Sequence, residues 1–149
     1  MQPRYFEDFR AGDRFLSPGL TITESAMVDF ALTWDPQPFH IDKEFSAQWA
    51  YGGLIASGLH TLCASLRLWL AGGVFAHCSL GSPGFDNTRF LRPVRPGDTI
   101  QVETEIVEIR ASETRQDRGL ARLRQVTRNQ RGEDVMIMET VVFLKKRAA

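Results

Sequence analysis

The segment Leu54 to Leu70 constrains this chain more than any other. It is apolar on nearly every side, and Arg67 is its only Asp, Glu, Lys or Arg. A helix that is apolar all round has to be buried. It is too short and too interrupted to cross a bilayer, which takes roughly 20 apolar residues. Gly72-Gly73 follows it as a helix stop. Other elements must therefore wrap this helix.

The second half of the chain supplies the wrapping. Thr99 to Ile106 alternates apolar and polar residues, the period of a half-exposed strand. The phase slips at Ile106-Val107, which predicts a bulge. Leu120 to Arg128 reads as a strand with charge on one side. Asn129 to Asp134 reads as a hairpin turn, and Val135 to Leu144 as a strand apolar enough to lie centrally. Asn87 to Leu91 reads as a further strand, stopped by Pro93. One long helix and at least four antiparallel strands predict an α+β fold, with the sheet wrapped around the helix. Without a repeat, linker or break in composition, residues 1–149 form one domain. A sheet of this kind leaves open edges, and a homodimer is the simplest way to cover one.

The first third leads into the helix. Arg14 to Ile22 reads as a strand interrupted near Ser17-Pro18-Gly19. Thr23 offers a hydroxyl cap, Glu24 favours the helix dipole, and Met27, Phe30 and Ala31 give an apolar face. These signals predict a helix over 24–33. Asp42 to Tyr51 reads as a second short helix, closed by Gly52-Gly53.

Between these two helices lies Trp34-Asp35-Pro36-Gln37-Pro38-Phe39-His40. Each proline locks its own φ and pushes the residue before it toward extended geometry. The result is an arch that cannot continue a helix. It can aim the Asp35 carboxylate and the His40 imidazole at one point, as proton transfer requires. The same residues also fit a plain turn, with the aspartate as cap and the histidine filling a surface gap.

Composition excludes several classes. Lys plus Arg equals Asp plus Glu at 18 each, so no basic field predicts a nucleic-acid partner. Lys145-Lys146-Arg147 reads as a solvated end. Cys63 and Cys78 form neither a disulfide framework nor a metal pattern. Cys63, in the apolar helix, is expected to be a buried thiol. The N-terminus lacks an apolar signal core, and no apolar run spans a membrane. A cytoplasmic location and no membrane partner are expected.

Three segments then line up in order: Asp35-x-x-x-x-His40, Leu54-Ile55-Ala56-Ser57-Gly58 opening the buried helix, and Phe90-Leu91-Arg92-Pro93-Val94-Arg95-Pro96-Gly97-Asp98 before a strand. Together they resemble the MaoC-like dehydratases, the (R)-specific enoyl-CoA hydratases of the hot-dog fold, over about residues 5–145. The resemblance implies that Asp35 and His40 are the catalytic pair. It implies that the Gly58 N–H holds the thioester carbonyl. The first N–H groups of a helix lack intrahelical partners and carry partial positive charge, which suits a developing enolate. Two positions depart from the family: Gln37 stands where Asn is common, and Ser57 where His is common. The implied reaction is reversible hydration of a trans-2-enoyl thioester to the (R)-3-hydroxyacyl thioester. The thiol belongs to coenzyme A or acyl carrier protein, and no metal or other cofactor is implied.

Around this core, several residues keep two readings. Ser57 either donates a hydrogen bond in the site or caps the helix. Trp34, Phe39, Phe30, Phe45, Trp49 and Tyr51 either line an acyl tunnel or pack as core and dimer contacts. His60 reads as a core histidine and His77 as a loop residue. Gly81-Ser82-Pro83-Gly84 lacks the Lys-Ser/Thr of a phosphate loop and reads as a turn. Asp86 and Asn87 could approach the site, and Arg92 or Arg95 could meet a phosphate or remain solvated. Two rival functions fit the same fold. A thioesterase normally draws a carboxylate from the central helix, and Leu54 to Leu70 holds none. A non-catalytic acyl-thioester binder has no need of the Asp35/His40 pair.

Overall fold

The computed structural model describes residues 2–148. In chain order the strands are β1 (Arg14–Leu16), β2 (Leu20–Thr21), β3 (Phe85–Phe90), β4 (Thr99–Ala111), β5 (Arg118–Arg128) and β6 (Asp134–Lys145). The helices are α1 (Glu24–Trp34), α2 (Pro38–Ile41), α3 (Lys43–Gln48) and α4 (Gly58–Ala71), preceded by a 3-10 turn at Phe6–Asp8. The strands form an antiparallel sheet in the order β1-β4-β5-β6-β3, with β2 also on β4. This is the α+β hot-dog arrangement, a curved sheet around one helix.

Alternation drives the sheet. On β5 the side chains of Ala121, Leu123, Gln125 and Thr127 are buried and their neighbours are not. The register slips between Ile106 and Glu108, where the sequence changes phase. The outer face carries a charge ladder, with Arg14 pairing Glu105 at 3.2 Å and Arg128 pairing Glu103 at 3.7 Å. Exposed pairs of this kind contribute about 0–1 kcal/mol each and mainly keep the face soluble. Gly132, at φ 75°, supplies the left-handed turn between β5 and β6.

The inner face packs on α4. One apolar cluster joins Ala64 and Leu68 of α4 to Ile100, Val102 and Val135 of the sheet and Met27 of α1. A second joins Trp69 to Phe9, Phe75, Ile106, Leu123 and Leu144. A polar link crosses between them: Ser65 Oγ lies 2.8 Å from Thr127 Oγ1 and donates to the Thr61 carbonyl at 2.7 Å. Such a link fixes the helix on the sheet, since an unmade buried hydrogen bond costs about 1–3 kcal/mol.

Three expectations are corrected. The central helix starts at Gly58, not Leu54, because Leu54–Ser57 lies outside any helix. Ala56 N–H donates to the Val94 carbonyl and Ile55 N–H to the Phe39 carbonyl, so tertiary pairing replaces helical bonds. The helix is also not buried all round: Leu59 and Leu70 are exposed, and so is Cys63, expected to be a buried thiol. The Val135–Leu144 strand does lie inside the sheet, as β6 between β5 and β3. The 42–51 helix is shorter, Lys43–Gln48, with Asp42 as its cap through Phe45 N–H. Cys78 is buried, and burial pushes its thiol up to about 11.

Candidate active site

Thr23 caps α1 by accepting from Ala26 N–H at 3.2 Å, and the helix ends at Trp34 before the proline arch. Pro38 then occupies the first position of α2, where its missing N–H costs nothing. The arch is therefore one open step followed by a single helical turn, and that turn carries His40. The His40 N–H donates to the Gln37 carbonyl at 2.9 Å.

The arch brings its two titratable groups together. His40 Nε2 lies 3.3 Å from Asp35 Oδ2, with side-chain exposures of 5% and 21%. His40 Nδ1 lies 2.8 Å from the Ile55 carbonyl oxygen. A carbonyl only accepts, so Nδ1 carries the proton and donates. Nε2 is then the nitrogen that exchanges protons, and it is the one facing Asp35.

Asp35 is gripped on both oxygens. Ser57 Oγ donates to Oδ2 at 2.7 Å, and Gln37 Nε2 donates to Oδ1 at 2.8 Å. The Ser57 bond is the main reason the carboxyl sits below its usual range; burial opposes it, while Gln37 and His40 add to it. Asp35 is thus ionised at neutral pH. Ser57 is also the cap of α4, its oxygen accepting from Leu59 N–H at 3.2 Å, so its hydroxyl serves Asp35 and the helix at once. One hydroxyl joins the aspartate to the start of the central helix.

A cavity of about 300 Å³ opens beside this group. His40, Ala56, Thr61, Val94 and Val135, all buried, line it together with Gly58, Phe39, Tyr51, Phe90, Leu91 and Arg92. Gly58 is the first residue of α4, so its N–H has no intrahelical acceptor and the helix dipole favours negative charge there. Asp35 and Ser57 do not line the cavity themselves. They are bonded to, or adjacent to, residues that do.

The other sequence candidates separate. Phe39 and Tyr51 line the cavity. Trp34 does not, and it is 69% exposed on the end of α1. Phe45 and Trp49 pack on each other at 5.0 Å outside the cavity. Phe30 stacks on His60 at 4.7 Å, and burial pushes that imidazole down, as suits a neutral packed histidine. His77 is exposed beyond the far end of α4. Asn87 donates to Glu139, and neither it nor Asp86 lines the cavity. Arg92 lines the cavity and donates to the Asp134 carbonyl at 2.9 Å. Arg95 donates to the carbonyls of Gly53 and Tyr51 and so holds the loop that carries Tyr51. Asp98, at the end of the third motif, is structural: it accepts from Arg95 N–H and from Gln130 and braces the turn into β4. Sequence reasoning missed Thr61, Val94 and Val135, since no local motif marks residues gathered from a helix, a loop and a strand.

Comparison with known proteins agrees with this architecture. Residues 9–128 match the family described as the MaoC like domain. A solved MaoC-like dehydratase from Rhodospirillum rubrum is 35% identical and covers 99% of this chain and 100% of its own, with a TM-score of 0.91. The (R)-hydratase from A. caviae involved in PHA biosynthesis is 26% identical over 95% of this chain and 99% of its own, with a TM-score of 0.70. A 3-hydroxybutyryl-CoA dehydratase from Methylorubrum extorquens is 34% identical over 111 residues, 70% of this chain and 65% of that protein.

Proposed function

The chain belongs to the MaoC-like domain family, and on that footing we propose that it catalyses reversible hydration of a trans-2-enoyl thioester to the (R)-3-hydroxyacyl thioester. The observation that carries this reading is the 3.3 Å approach of His40 Nε2 to Asp35 Oδ2 beside a cavity lined by His40 and by Gly58, the first residue of α4. Hydration needs a group to take a proton from water, one to give a proton to C2, and a donor for the enolate oxygen. Asp35, His40 and the Gly58 N–H are the groups that would fill these three roles.

In the hydration direction a water held by both Asp35 and His40, beside their direct contact, attacks C3. Its oxygen forms the C3–O bond as one O–H bond breaks and the proton passes to Asp35. With His40 entering the step as the imidazolium, protonated on both ring nitrogens, Nε2 delivers its proton to C2 on the same face and leaves the neutral ring with its proton on Nδ1. The electron pair of the double bond passes through an enolate whose oxygen accepts from the Gly58 N–H, then returns to form the C2–H bond. A proton transfer from Asp35 to His40 across the 3.3 Å contact restores the starting state. A positioned acid/base group of this kind contributes about 10²–10⁴-fold. This assignment draws on no metal or redox cofactor. The substrate's thiol is carried by coenzyme A or acyl carrier protein. A thioesterase reading gains no support from α4, whose residues Gly58–Ala71 include no Asp or Glu.

We also assign the functional unit as a homodimer. Among the described residues β3 bonds only β6, and Phe85 and Phe90 on it and Leu91 just after it are 42–52% exposed. The Phe90 ring adjoins Gly58, and Leu59 and Leu70 continue the apolar band along α4. A second copy paired along β3 covers both the strand edge and this band. Light scattering checks it: a dimer is expected for wild type, and Phe85→Lys is expected to shift it toward monomer.

The direct test of the reaction follows the conjugated enoyl-thioester absorbance with crotonyl-CoA and a longer trans-2-enoyl-CoA. The band is expected to disappear with wild type and to persist with His40→Ala, without free thiol. Thiol release in step with loss of the substrate would establish a thioesterase instead.

A further inference from the structure

We propose that Gln37 is a positioning residue that fixes the Asp35 carboxylate, and that it makes no contact with substrate. The proposal rests on the hydratase reading of the Asp35/His40 pair. Gln37 touches both members. Its side-chain amide donates to Asp35 Oδ1 at 2.8 Å. Its backbone N–H donates to the Asp35 carbonyl at 2.8 Å, and its own carbonyl accepts from His40 N–H at 2.9 Å.

Geometry explains why a donor is needed there. A carboxylate held through one oxygen can turn about its Cβ–Cγ bond and exchange its two oxygens. Ser57 alone, on Oδ2, leaves that freedom. Gln37 on Oδ1 removes it, so the oxygen 3.3 Å from His40 Nε2 is always the one that Ser57 holds. The clamp is itself well held. Pro36 and Pro38 flank Gln37, whose backbone is extended at φ −73°, ψ 140°. Gln37 is also exposed and lines no part of the cavity. The side chain turns back along the arch to Asp35.

Among the groups acting on Asp35, His40 is the titratable one, whereas Ser57 and Gln37 are neutral donors. Loss of the Gln37 donor should therefore make the carboxyl easier to protonate. Gln37→Glu keeps the size of the side chain and replaces the donor with an acceptor. Gln37→Ala removes it altogether.

The test is a carboxyl ¹³C NMR titration of Asp35 in wild type, Gln37→Ala and Gln37→Glu, paired with pH profiles of kcat/KM for crotonyl-CoA. The Asp35 midpoint is expected to rise in both variants, more in Gln37→Glu. At the acid end of the profile kcat/KM is expected to fall about tenfold, the size of one charged hydrogen bond, with KM within twofold of wild type. A role in packing alone predicts that Gln37→Glu behaves as wild type, and that outcome overturns the proposal. So does an unchanged Asp35 midpoint in Gln37→Ala, or a rise in KM that accounts for the loss. If wild type hydrates no enoyl thioester while the midpoint still rises, the hydratase reading fails and the clamp stands.

Discussion

The Phe90 ring fills the space a side chain on Gly58 would need. A Cβ at Gly58 would lie 2.7 Å from Phe90 Cε2 and 2.8 Å from Cζ. Gly58 has no unusual φ among the left-handed residues, so the position demands glycine for room and not for conformational freedom. The ring comes from the end of β3 and the glycine from the start of α4, and both line the cavity.

Gly58→Ala is therefore expected to push the Phe90 ring aside and reshape the cavity next to the first helical N–H. Phe90 is 52% exposed within the single chain, so the fold itself should lose only about 1 kcal/mol, and any further loss falls on the proposed dimer contact. kcat should fall by tenfold or more, because small misplacements at a reacting centre are costly. A double-mutant cycle checks the cause: Phe90→Ala in the Gly58→Ala background is expected to return part of kcat. Strictly additive losses would place the effect elsewhere.

Asp35→Asn preserves shape and removes the charge. kcat is expected to fall about 10²–10⁴-fold with an unchanged circular-dichroism spectrum. Stability should also change with pH in a definite direction. The folded-state pKa of Asp35 is depressed below 3.8. Its ionised form thus stabilises the fold above that value, and the contribution disappears as pH falls through the folded pKa. Urea unfolding should show wild type ahead of Asp35→Asn at pH 7 and the gap closing at the acid end. A gap that widens toward low pH would reverse the assignment.

The parts of this site that were legible in the sequence are those fixed by local covalent geometry. Pro36 and Pro38 constrain the arch wherever it is placed, so seven residues show that Asp35 and His40 can meet, while the bonds that decide it over a plain turn come from Ile55 and Ser57. The strands were legible for the same reason, since a period of two and a slip at Ile106 are local facts. The start of α4 was not. Leu54 to Ser57 looks helical, yet Ala56 bonds Val94 and Ile55 bonds Phe39, partners supplied by other parts of the chain. The exposure of Leu59, Cys63 and Leu70 was hidden likewise, because apolar composition does not say whether the burying partner lies within the same chain. Ser57 kept two readings because one oxygen serves both.

Ser57→Ala separates these two duties. Losing the cap should cost about 1 kcal/mol of stability, read as a lower thermal midpoint. Losing the donor to Asp35 should raise the acid limb of the kcat/KM profile, because that bond is the largest cause of the depressed carboxyl. Ser57→Thr keeps the hydroxyl and is expected to restore both. Ser57→Gly, a tolerable cap without a hydroxyl, is expected to restore stability and leave the acid limb raised. If Ser57→Gly recovers the wild-type profile, the hydroxyl acts only through the helix.

A second glycine tests the fold away from the site. A Cβ at Gly119 on β5 would fall within the Phe6 ring, which the 3-10 turn lays across the strand. Neither residue lines the cavity. Gly119→Ala should therefore act as overpacking and cost about 1–3 kcal/mol, with kcat of the folded protein unchanged. Phe6→Ala loses buried contact but also removes the clash. The two changes together should thus cost less than the sum of each alone, a coupling that denaturant unfolding of the four proteins measures. Additive costs would mean that the Phe6 ring swings clear without loss, and that the N-terminal turn is not fastened to the sheet at this point. A fall in kcat with Gly119→Ala would instead show that strain at the end of β5 reaches the Asp35/His40 pair.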